Sequence, residues 1–349
     1  GNFIESLEYF RKNSLGDGDS MLYAFPERRT ERRNQWYFDL KKEVPAAIYK
    51  SSVKEKIRAF RKIIKETGVD TVHTHFTDMK TDMSVNIACL GLRVKKFKHY
   101  RSSFGSFGTI KKFFARLCYR SWNAVICVSP HTLREAESNI VSCKPVLLND
   151  AVYFPRMDNY EKLCKPDLGV PESAVLCFAI GYDYRLKGID LACEAVKKLR
   201  DEGQNIYLAV CTASNTQTIA EQIRAQFGEF PEWLKLLPPR QDIASYYRAA
   251  DIYIQASRSE GFCYAIVEAA YCGKTVVASD CPGMKSHAEK NFDFLWFKNG
   301  DSDSLSEKLG QAVKMSESSE LSSKNRRAAI DNYSIENMSK KLYRIYADM

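Results

Sequence analysis

Two glutamates, Glu260 and Glu268, stand eight residues apart where a polar turn gives way to a helical pattern. A strand-like run at residues 252–254 precedes the turn, and the helical pattern runs from Ala265 until Gly273 ends it. The backbone N–H groups left over at such a helix start suit a phosphate, and flanking carboxylates accept hydrogen bonds from hydroxyl groups. The segment therefore predicts a site for a phosphorylated, hydroxyl-rich ligand such as a sugar nucleotide.

Composition limits the setting of this site. A chain of 349 residues with 45% apolar content is too long for one ordinary core and fits a globular protein of two domains. No run approaches the roughly 20 apolar residues of a membrane span, and no secretory signal is visible. The eleven cysteines are scattered without a Cys-x-x-Cys pair, so we expect reduced, mostly buried thiols in a cytosolic protein.

Positive charge is concentrated in the first half of the chain. Residues 1–150 carry 27 Lys and Arg against 16 Asp and Glu, whereas the remainder carries 25 against 27. No acidic residue lies between Met83 and Arg134, a stretch with ten basic residues: Arg93, Lys95, Lys96, Lys98, Arg101, Lys111, Lys112, Arg116, Arg120 and Arg134. Such a field attracts an anionic partner.

Residues 110–120, inside this basic stretch, have an amphipathic helical pattern. Ile110, Phe113, Phe114 and Leu117 share one face, with basic residues beside it. Three interpretations stay open: a solvated face over a packed helix, a helix on an anionic membrane surface, or a nucleic-acid contact. We expect no nucleic-acid partner, because no aromatic-interleaved platform or groove-reading motif is visible.

Helix and strand patterns alternate along both halves of the chain. Predicted helices cover residues 3–12, 54–67, 190–200, 216–227, 304–314 and 334–347. Predicted strands cover residues 21–25, 69–76, 124–128, 145–148, 175–180, 206–211, 252–254 and 275–278. Such alternation indicates the α/β class, with parallel sheets covered by helices on both faces.

The segment with the two glutamates resembles the Glu-x7-Glu signature of family 4 retaining glycosyltransferases (glycosyltransferase group 1), which have the GT-B fold. Other parts of the chain resemble this family in the same order: residues 128–129, 148–152, the glycine loop 181–188 ending in Lys-Gly, the Tyr-x-x-Ala-Asp lead-in at 246–251, and the strand and glycine turn at 274–283. The likeness covers most of the chain. It is specific in the second half and loose in the first.

This resemblance implies two Rossmann-like parallel-sheet domains facing across a cleft. They would be an acceptor-side domain at residues 1–155 and a nucleotide-sugar domain at 156–333, with a helix at 334–349 packing back on the first domain. The implied reaction moves a hexose from a nucleotide diphosphate sugar, expected to be a UDP-hexose, to a hydroxyl of a glycan or lipid-linked acceptor. The product would be a surface polysaccharide or glycolipid, made in the cytoplasm or by a peripheral protein on the inner membrane face. The alternative is a non-catalytic GT-B partner subunit or chaperone.

The resemblance also assigns roles to residues. Because the leaving diphosphate gains negative charge, catalysis needs fixed positive groups, and Lys187 matches the family lysine for this role. Relatives usually carry Arg directly after the first loop glycine, where this chain has Tyr182, so Arg185 is the expected substitute. Glu260 would hold donor-sugar hydroxyls and Glu268 the ribose. The other implied contacts to the nucleotide sugar are Gly181, Gly261, Phe262, Cys263 (commonly Gly in relatives), Tyr264, Ala265 and, near the base, Arg240.

Three residues are candidates for the acceptor side. His73 and His75 alternate on a predicted strand whose end faces the cleft in relatives, so His75 is one candidate. His99 and Arg101, expected on the loop after the next strand, are the others; hydrogen-bonded core histidines are the alternative. His-x-His alone lacks further metal ligands at a readable spacing, and the Asp-x-Asp at residues 301–303 predicts a helix cap. We therefore expect metal-independent transfer with no cofactor besides the nucleotide sugar.

The amino-terminal part leaves two alternatives. First domains of this family open with an apolar strand and a glycine loop, whereas this sequence opens at Gly1 with a helical pattern. Either the opening strand lies outside this sequence or the domain starts differently. The arginines at residues 28–29 and 32–33 predict a solvated loop, with a contact to an acceptor phosphate as the alternative.

Overall fold

The computed structural model describes residues 2–16, 19–26, 40, 42–50, 52–101, 107–140, 142–212, 216–315 and 319–349. The chain divides into two compact units. The first unit comprises Leu7–Asn149 with Ser339–Met349, and the second comprises Gly1–Ser6 with Asp150–Met338. Both units contain parallel sheets, which confirms the predicted α/β class.

The described residues of the first unit form two parallel sheets. Strands β1 (Tyr23–Pro26) and β2 (Ala46–Tyr49) pair with each other. Strands β3 (Thr71–His75), β4 (Lys95–Tyr100), β5 (Ala124–Cys127) and β6 (Lys144–Leu147) form the other sheet in that order. The helices Val53–Thr67, Met79–Ala88, Thr109–Tyr119 and Pro130–Asn139 alternate with them, and Asn2–Asn13 and Ile335–Asp348 lie at the two ends of the chain.

The second unit is built on one six-stranded parallel sheet. Its strands are β7 (Val175–Ile180), β8 (Ile206–Cys211), β9 (Leu234–Leu237), β10 (Ile252–Gln255), β11 (Thr275–Ser279) and β12 (Leu295–Phe297). Its helices are Pro155–Asp158, Ile189–Asp201, Thr216–Phe227, Ala244–Ala249, Tyr264–Tyr271, Pro282–Lys285, Ser302–Met315 and Ser319–Tyr333. Short 3-10 turns cover Pro166–Leu168 and Ala288–Lys290.

The strand order of this sheet fixes where a ligand can bind. The order is β12-β11-β10-β7-β8-β9, so the chain winds in one direction from β7 and in the other from β10. Open α/β sheets bind ligands beyond the carboxyl ends of the strands at such a reversal. The loops after β7 and β10 both leave the sheet there, and they contain the predicted Lys187 and Glu260.

Burial explains why these strands form. Every residue of β10 and β11 is buried, as are the central four residues of β7. Helices on both faces of a parallel sheet leave no solvated side, so the strands are continuous apolar runs. The helix Ile189–Asp201 contributes Leu191, Ala195, Val196 and Leu199 to this core at helical spacing.

Strand β4 corrects the expectation that His99 lies on a loop. His99 lies inside β4, opposite His75 of β3. Alternating lysines concealed this strand in the sequence, because lysine is almost never buried unless it is paired. Here Lys98 is 2% exposed and its Nζ lies 2.8 Å from Oδ2 of the buried Asp82. This ion pair and the hydrogen bonds that Nζ donates to Thr77 make a lysine acceptable in the sheet.

The cysteines agree with the sequence prediction. All eleven are free thiols, nine of them are buried, and Cys164 is the one that is fully exposed. Across the described parts of the chain, no helix combines the length and the apolar composition needed to cross a membrane.

Candidate functional site

Lys187 and Glu260 meet where β7 and β10 end. Nζ of Lys187 donates to Oε1 of Glu260 across 2.6 Å, and the two side chains are 14% and 13% exposed. Burial by itself lowers the pKa of Lys187, but the charge and the hydrogen bond of Glu260 outweigh it, so this pKa lies above its ordinary value. The pair is therefore a fixed ammonium beside a fixed carboxylate.

Two glycines let the surrounding loops come this close. Gly188 has φ +64°, and a Cβ there would lie 1.9 Å from the carbonyl oxygen of Ala256. A Cβ on Gly283 would lie 1.7 Å from the carbonyl oxygen of Glu260. Larger residues cannot occupy either position without moving backbone, so the pair depends on both glycines.

The helix Tyr264–Tyr271, called the motif helix below, begins directly after this pair. Cys263 precedes it with φ 67°, a left-handed conformation that glycine adopts freely and other residues rarely adopt. This explains why glycine is the residue expected there. The helix is one residue longer at its start than predicted, and the first-turn N–H groups are those that the sequence assigned to a phosphate.

His287 supports the start of the motif helix and was missed by the sequence analysis. Its Nε2 lies 2.6 Å from the carbonyl oxygen of Phe262, and the ring is completely buried. Burial lowers the pKa of His287 to about 4, so the ring is neutral at pH 7 and donates from Nε2. A lone histidine carries no sequence signal for such a role.

Other predicted contacts around this helix are held by hydrogen bonds within the second unit. The Tyr264 hydroxyl donates to Asp150 Oδ2 at 2.6 Å, and the Tyr247 hydroxyl oxygen lies 3.2 Å from the carbonyl oxygen of Ala265. Gly261 and Phe262 are buried in the turn. Gly181 packs tightly, since a Cβ there would lie 3.0 Å from Cβ of Lys187.

Glu268 is buried inside the motif helix and has two side-chain partners. Its Oε1 accepts from Nη2 of Arg156, and its Oε2 accepts from the Tyr247 hydroxyl at 3.1 Å. Burial lowers the pKa of Arg156, but Glu268 and Glu5 raise it by more than burial lowers it. The pKa of Arg156 therefore lies above its ordinary value. Neither Arg156 nor Tyr247 was identified from the sequence as an orienting group.

The structure places Arg185 on a different carboxylate from Lys187. Its guanidinium is 73% exposed and lies 2.7 Å from Oδ2 of Asp190, which also binds Arg258. Tyr182 stands where relatives have Arg. Its ring centroid lies 5.2 Å from Nζ of Lys187. Arg185 is thus a surface arginine paired with Asp190 rather than a buried cation.

Arg240 is anchored by two acids. Its Nε donates to Asp242 Oδ1 at 2.8 Å, a second bond joins it to Glu161, and its guanidinium lies 5.5 Å from the ring of Tyr246. The carboxylates raise its pKa. The side chain is therefore held in one place at the carboxyl end of β9.

The acceptor-side candidates lie together in the first unit. His75 on β3 and His99 on β4 have ring centroids 5.1 Å apart, and His73 lies 4.0 Å from His75. Nε of Arg101 donates to Nδ1 of His75 over a long 3.4 Å. Burial lowers the pKa of all three imidazoles, for His73 to about 3, so all three are neutral at pH 7.

The helix Thr109–Tyr119, called the basic helix below, leaves its apolar face exposed. Ile110, Phe113, Phe114 and Leu117 are between 45% and 76% exposed, and the residues it buries are Ala115, Cys118 and Tyr119. An open groove of about 750 Å³ runs beside it, lined by Met79, Lys80, Met83, Gly108, Thr109, Ile110, Lys111 and Phe114. The helix thus packs through Ala115, Cys118 and Tyr119, while its apolar face is exposed.

Two further predictions have separate outcomes. The helix cap at residues 301–303 is confirmed, because Oδ1 of Asp301 accepts from the backbone N–H of Ser304 at 3.0 Å where the helix Ser302–Met315 begins. The arginines at residues 28–29 and 32–33 lie outside the described residues.

Comparison with known proteins finds a family match over the segment that contains this site. Residues 164–332, which include Lys187, Glu260 and Glu268, match the family model of the glycosyl transferases group 1. One curated relative is the N,N'-diacetylbacillosaminyl-diphospho-undecaprenol alpha-1,3-N-acetylgalactosaminyltransferase of Campylobacter jejuni, 38% identical over 73 residues, or 21% of this chain and 19% of that protein. Another is the D-inositol 3-phosphate glycosyltransferase of Corynebacterium kroppenstedtii, 31% identical over 140 residues, or 38% of this chain and 31% of that protein.

The matched segments thus span less than a third of the length of these two relatives. Over most of its length the chain is similar to known proteins in structure rather than in sequence. The crystal structure of HepE from Anabaena in complex with UDP and glucose has a TM-score of 0.73 at 15% identity, covering 94% of this chain and 100% of that one. This likeness confirms the GT-B fold class. Residues 164–332 are therefore a glycosyl transferases group 1 domain within a chain of that fold.

Proposed function

We propose that this chain is a retaining glycosyltransferase of the family 4 type. It moves a hexose from a UDP-hexose to a hydroxyl of a glycan or lipid-linked acceptor. The names of similar proteins support these donor and acceptor classes. One relative acts on a diphospho-undecaprenol-linked sugar, and the solved HepE structure holds UDP and glucose. The reaction serves surface polysaccharide or glycolipid synthesis at the cytoplasmic face of a membrane.

The Lys187–Glu260 pair at the strand-order reversal carries this proposal. Charge develops on the diphosphate as the sugar leaves, and a buried ammonium stabilises it without having to reorganise. We expect the diphosphate to accept from Lys187 and from the first N–H groups of the motif helix, while Glu260 turns to the sugar hydroxyls. Lys187 thereby supplies the positive charge, and we propose that transfer is metal-independent.

The other residues fit supporting roles. A carboxylate has about four acceptor positions, so Glu268 can bind ribose hydroxyls while Arg156 and Tyr247 hold it in place. The side chain of Arg185 can break its ion pair with Asp190, because Arg258 also neutralises that carboxylate. In this proposal it supplies the second cation near the diphosphate.

The acceptor lies against the first unit in this proposal. His75, His99 and Arg101 offer neutral imidazoles and one cation, which suit a hydroxyl nucleophile and a phosphate of a lipid-linked acceptor respectively. These roles rest on the resemblance together with the grouping of the three side chains in the structure.

We also propose that the basic helix lies on an anionic membrane surface. Its four exposed apolar side chains would enter the headgroup boundary, with Lys111, Lys112, Arg116 and Arg120 beside them. Each such cation contributes about 1 kcal/mol near an anionic leaflet. No acidic residue lies between Met83 and Arg134 to oppose this attraction. The neighbouring groove, which Lys80 and Lys111 line together with apolar residues, would then open toward the lipid.

Turnover of nucleotide sugars tests the enzymatic proposal. The purified chain is incubated with UDP-glucose, UDP-galactose, UDP-N-acetylglucosamine and a GDP-hexose, and release of the nucleoside diphosphate is followed with and without a lipid extract as acceptor. We expect one UDP-hexose to be turned over, with the rate falling at least about 100-fold in Lys187→Ala and in Glu260→Ala. Lys197→Ala, a surface lysine of the same unit, is the matched control.

Each outcome decides between the enzyme and its alternative. The chain would be a non-catalytic partner subunit if the folded protein binds UDP but turns over no donor, and if Lys187→Ala and Glu260→Ala bind UDP as the parent does. Loss of turnover on adding a chelator and its return with manganese would overturn the metal-independent mechanism.

A further inference from the structure

Three histidines that the sequence separates are brought into one cluster by the sheet of the first unit. His73 and His75 alternate on β3 and share a face, and His99 of β4 lies directly opposite His75 in the parallel register. One ligand-capable nitrogen from each histidine lies within 4.8 Å of those of the other two. The third imidazole is the further ligand that the His-x-His spacing lacked.

The geometry needs only a small adjustment to hold an ion. A tetrahedral zinc site with Zn–N bonds of about 2.05 Å places its nitrogens about 3.4 Å apart. The rings of His73 and His99 are parallel with centroids 5.3 Å apart, so they must rotate to converge. Rotation about χ2 of histidine is soft, which makes this closure accessible without moving the strands.

Hydrogen bonding already orients one ligand. The Nδ1 atom of His73 is hydrogen-bonded to the hydroxyl of Tyr346, a residue of the final helix within the same unit. Nε2 of His73 is buried and has no hydrogen-bond partner among the described residues. An outer hydrogen bond on one ring nitrogen, with the other left to bind, is the usual arrangement of a metal-ligating histidine.

The chemistry of the cluster selects a class of ion. We propose that His73, His75 and His99 form a binding site for a divalent transition-metal ion, with zinc as the expected occupant. Three imidazoles suit zinc, cobalt, nickel or copper, whereas magnesium and calcium need oxygen ligands. Three protein ligands on two adjacent strands leave a fourth position for water or a substrate oxygen. The site shares His75 and His99 with the proposed acceptor contacts, and a bound ion would take the place of their direct contact with the acceptor. Its test measures metal binding and does not require glycosyl transfer.

Two nearby cations set the strength of the site. Lys98 is neutralised by Asp82 at 2.8 Å, so it opposes an ion little. Arg101 contacts His75 Nδ1 at 3.4 Å and competes with a metal for that ring. Removing the arginine charge should therefore tighten metal binding, whereas removing an imidazole should abolish it. A merely structural histidine cluster would show neither effect.

Metal content and affinity test the proposal on the full chain after removal of any histidine tag. The protein is loaded with zinc, dialysed, and measured by elemental mass spectrometry, and cobalt binding is followed by visible absorption. We expect about one equivalent of metal, with imidazole-type cobalt bands and no sulfur charge-transfer band. His99→Asn should weaken binding at least about 100-fold, and Arg101→Gln should tighten it.

Matched controls make the result decisive. His131→Asn and Cys164→Ser alter the partly exposed histidine and the exposed thiol, and both should retain the metal. Retention of one equivalent in His99→Asn, loss in Cys164→Ser, or no metal in the parent protein would each overturn the site. Arg101→Gln keeps all three ligands, so weaker binding in that variant would also contradict the proposal if His99→Asn failed to fold.

Discussion

Nζ of Lys187 lies 2.6 Å from Oε1 of Glu260, although 73 residues separate them in the chain. Because both side chains are mostly buried, the ammonium and the carboxylate depend on each other for solvation. The pair holds the loop after β7 against the loop after β10 and presets the charge of the proposed donor site.

A double-mutant cycle should reveal this dependence. Lys187→Met leaves a buried carboxylate without its cation and should lower the free energy of unfolding by about 3 kcal/mol. Adding Glu260→Gln should restore at least about 1 kcal/mol of it, because the uncompensated charge is gone. Urea unfolding measures both. The exposed pair Lys197 and Asp201 is the control, with an expected coupling of about 0.5 kcal/mol. Equal coupling in the two cycles would show that the buried pair is not special.

Two glycine substitutions should have opposite effects. Gly283→Ala places a Cβ 1.7 Å from the carbonyl oxygen of Glu260, so that loop must move. Nucleotide binding should weaken at least about tenfold, and the protein should lose about 2 kcal/mol of stability or more. In Gly310→Ala the nearest atom lies 3.7 Å away inside a helix, so stability should rise by about 0.5 kcal/mol. Calorimetry of UDP binding and thermal melts check both. Unchanged UDP affinity in Gly283→Ala would show that Gly283 is not needed for nucleotide binding.

Acid should destabilise the second unit through His287. Burial lowers the folded-state pKa to about 4 from an ordinary 6.5, so the unfolded state binds the extra proton between these values. The stabilisation is therefore complete above pH 6.5 and is lost as the pH falls toward 4, by about 3 kcal/mol in total. Urea titrations at pH 7, 6 and 5 measure this slope.

The variant His287→Gln isolates that contribution. Its amide can still donate to the carbonyl of Phe262, but it cannot bind the proton, so the slope of stability against pH should decrease by up to about 1.4 kcal/mol per pH unit. His131→Gln, at a partly exposed ring paired with Glu135, is the control. An acid slope identical to that of the parent in His287→Gln would remove this residue from the explanation.

Vesicle flotation tests the basic helix. The parent protein should bind vesicles containing anionic phosphatidylglycerol and release them in high salt. Phe113→Ser with Leu117→Ser should abolish binding, and Lys111→Gln with Lys112→Gln should weaken it by about 2 kcal/mol, or roughly 30-fold.

The apolar control for this experiment is Leu90→Ser, since Leu90 is 66% exposed elsewhere in the same unit. Lys62→Gln is the charge control at an exposed lysine. Binding that is equal on neutral and anionic vesicles, or lost equally in Leu90→Ser, would contradict a specific role of the basic helix.

The sequence by itself determined part of the second unit, but not the strands β9 and β12 or the helix Ser319–Tyr333. Residues 175–180, 206–211 and 216–227 have the bounds that periodicity predicted, because a sheet buried on both faces requires uninterrupted apolar runs. It also indicated the turn and helix around Glu260 and Glu268, since glycine and the change of period are local signals.

Only the tertiary structure decided which distant side chains meet. The reversal of strand order joins Lys187 to Glu260, the register of β3 and β4 joins His75 to His99, and burial of Lys98 depends on Asp82. It also showed that Phe113 and its neighbours face outward, which amphipathicity alone leaves open because an apolar face has the same period whether it packs or not. The local sequence pattern determines whether a segment forms a helix or a strand. Its partner across a sheet or a loop depends on the strand order and register, which local spacing does not encode.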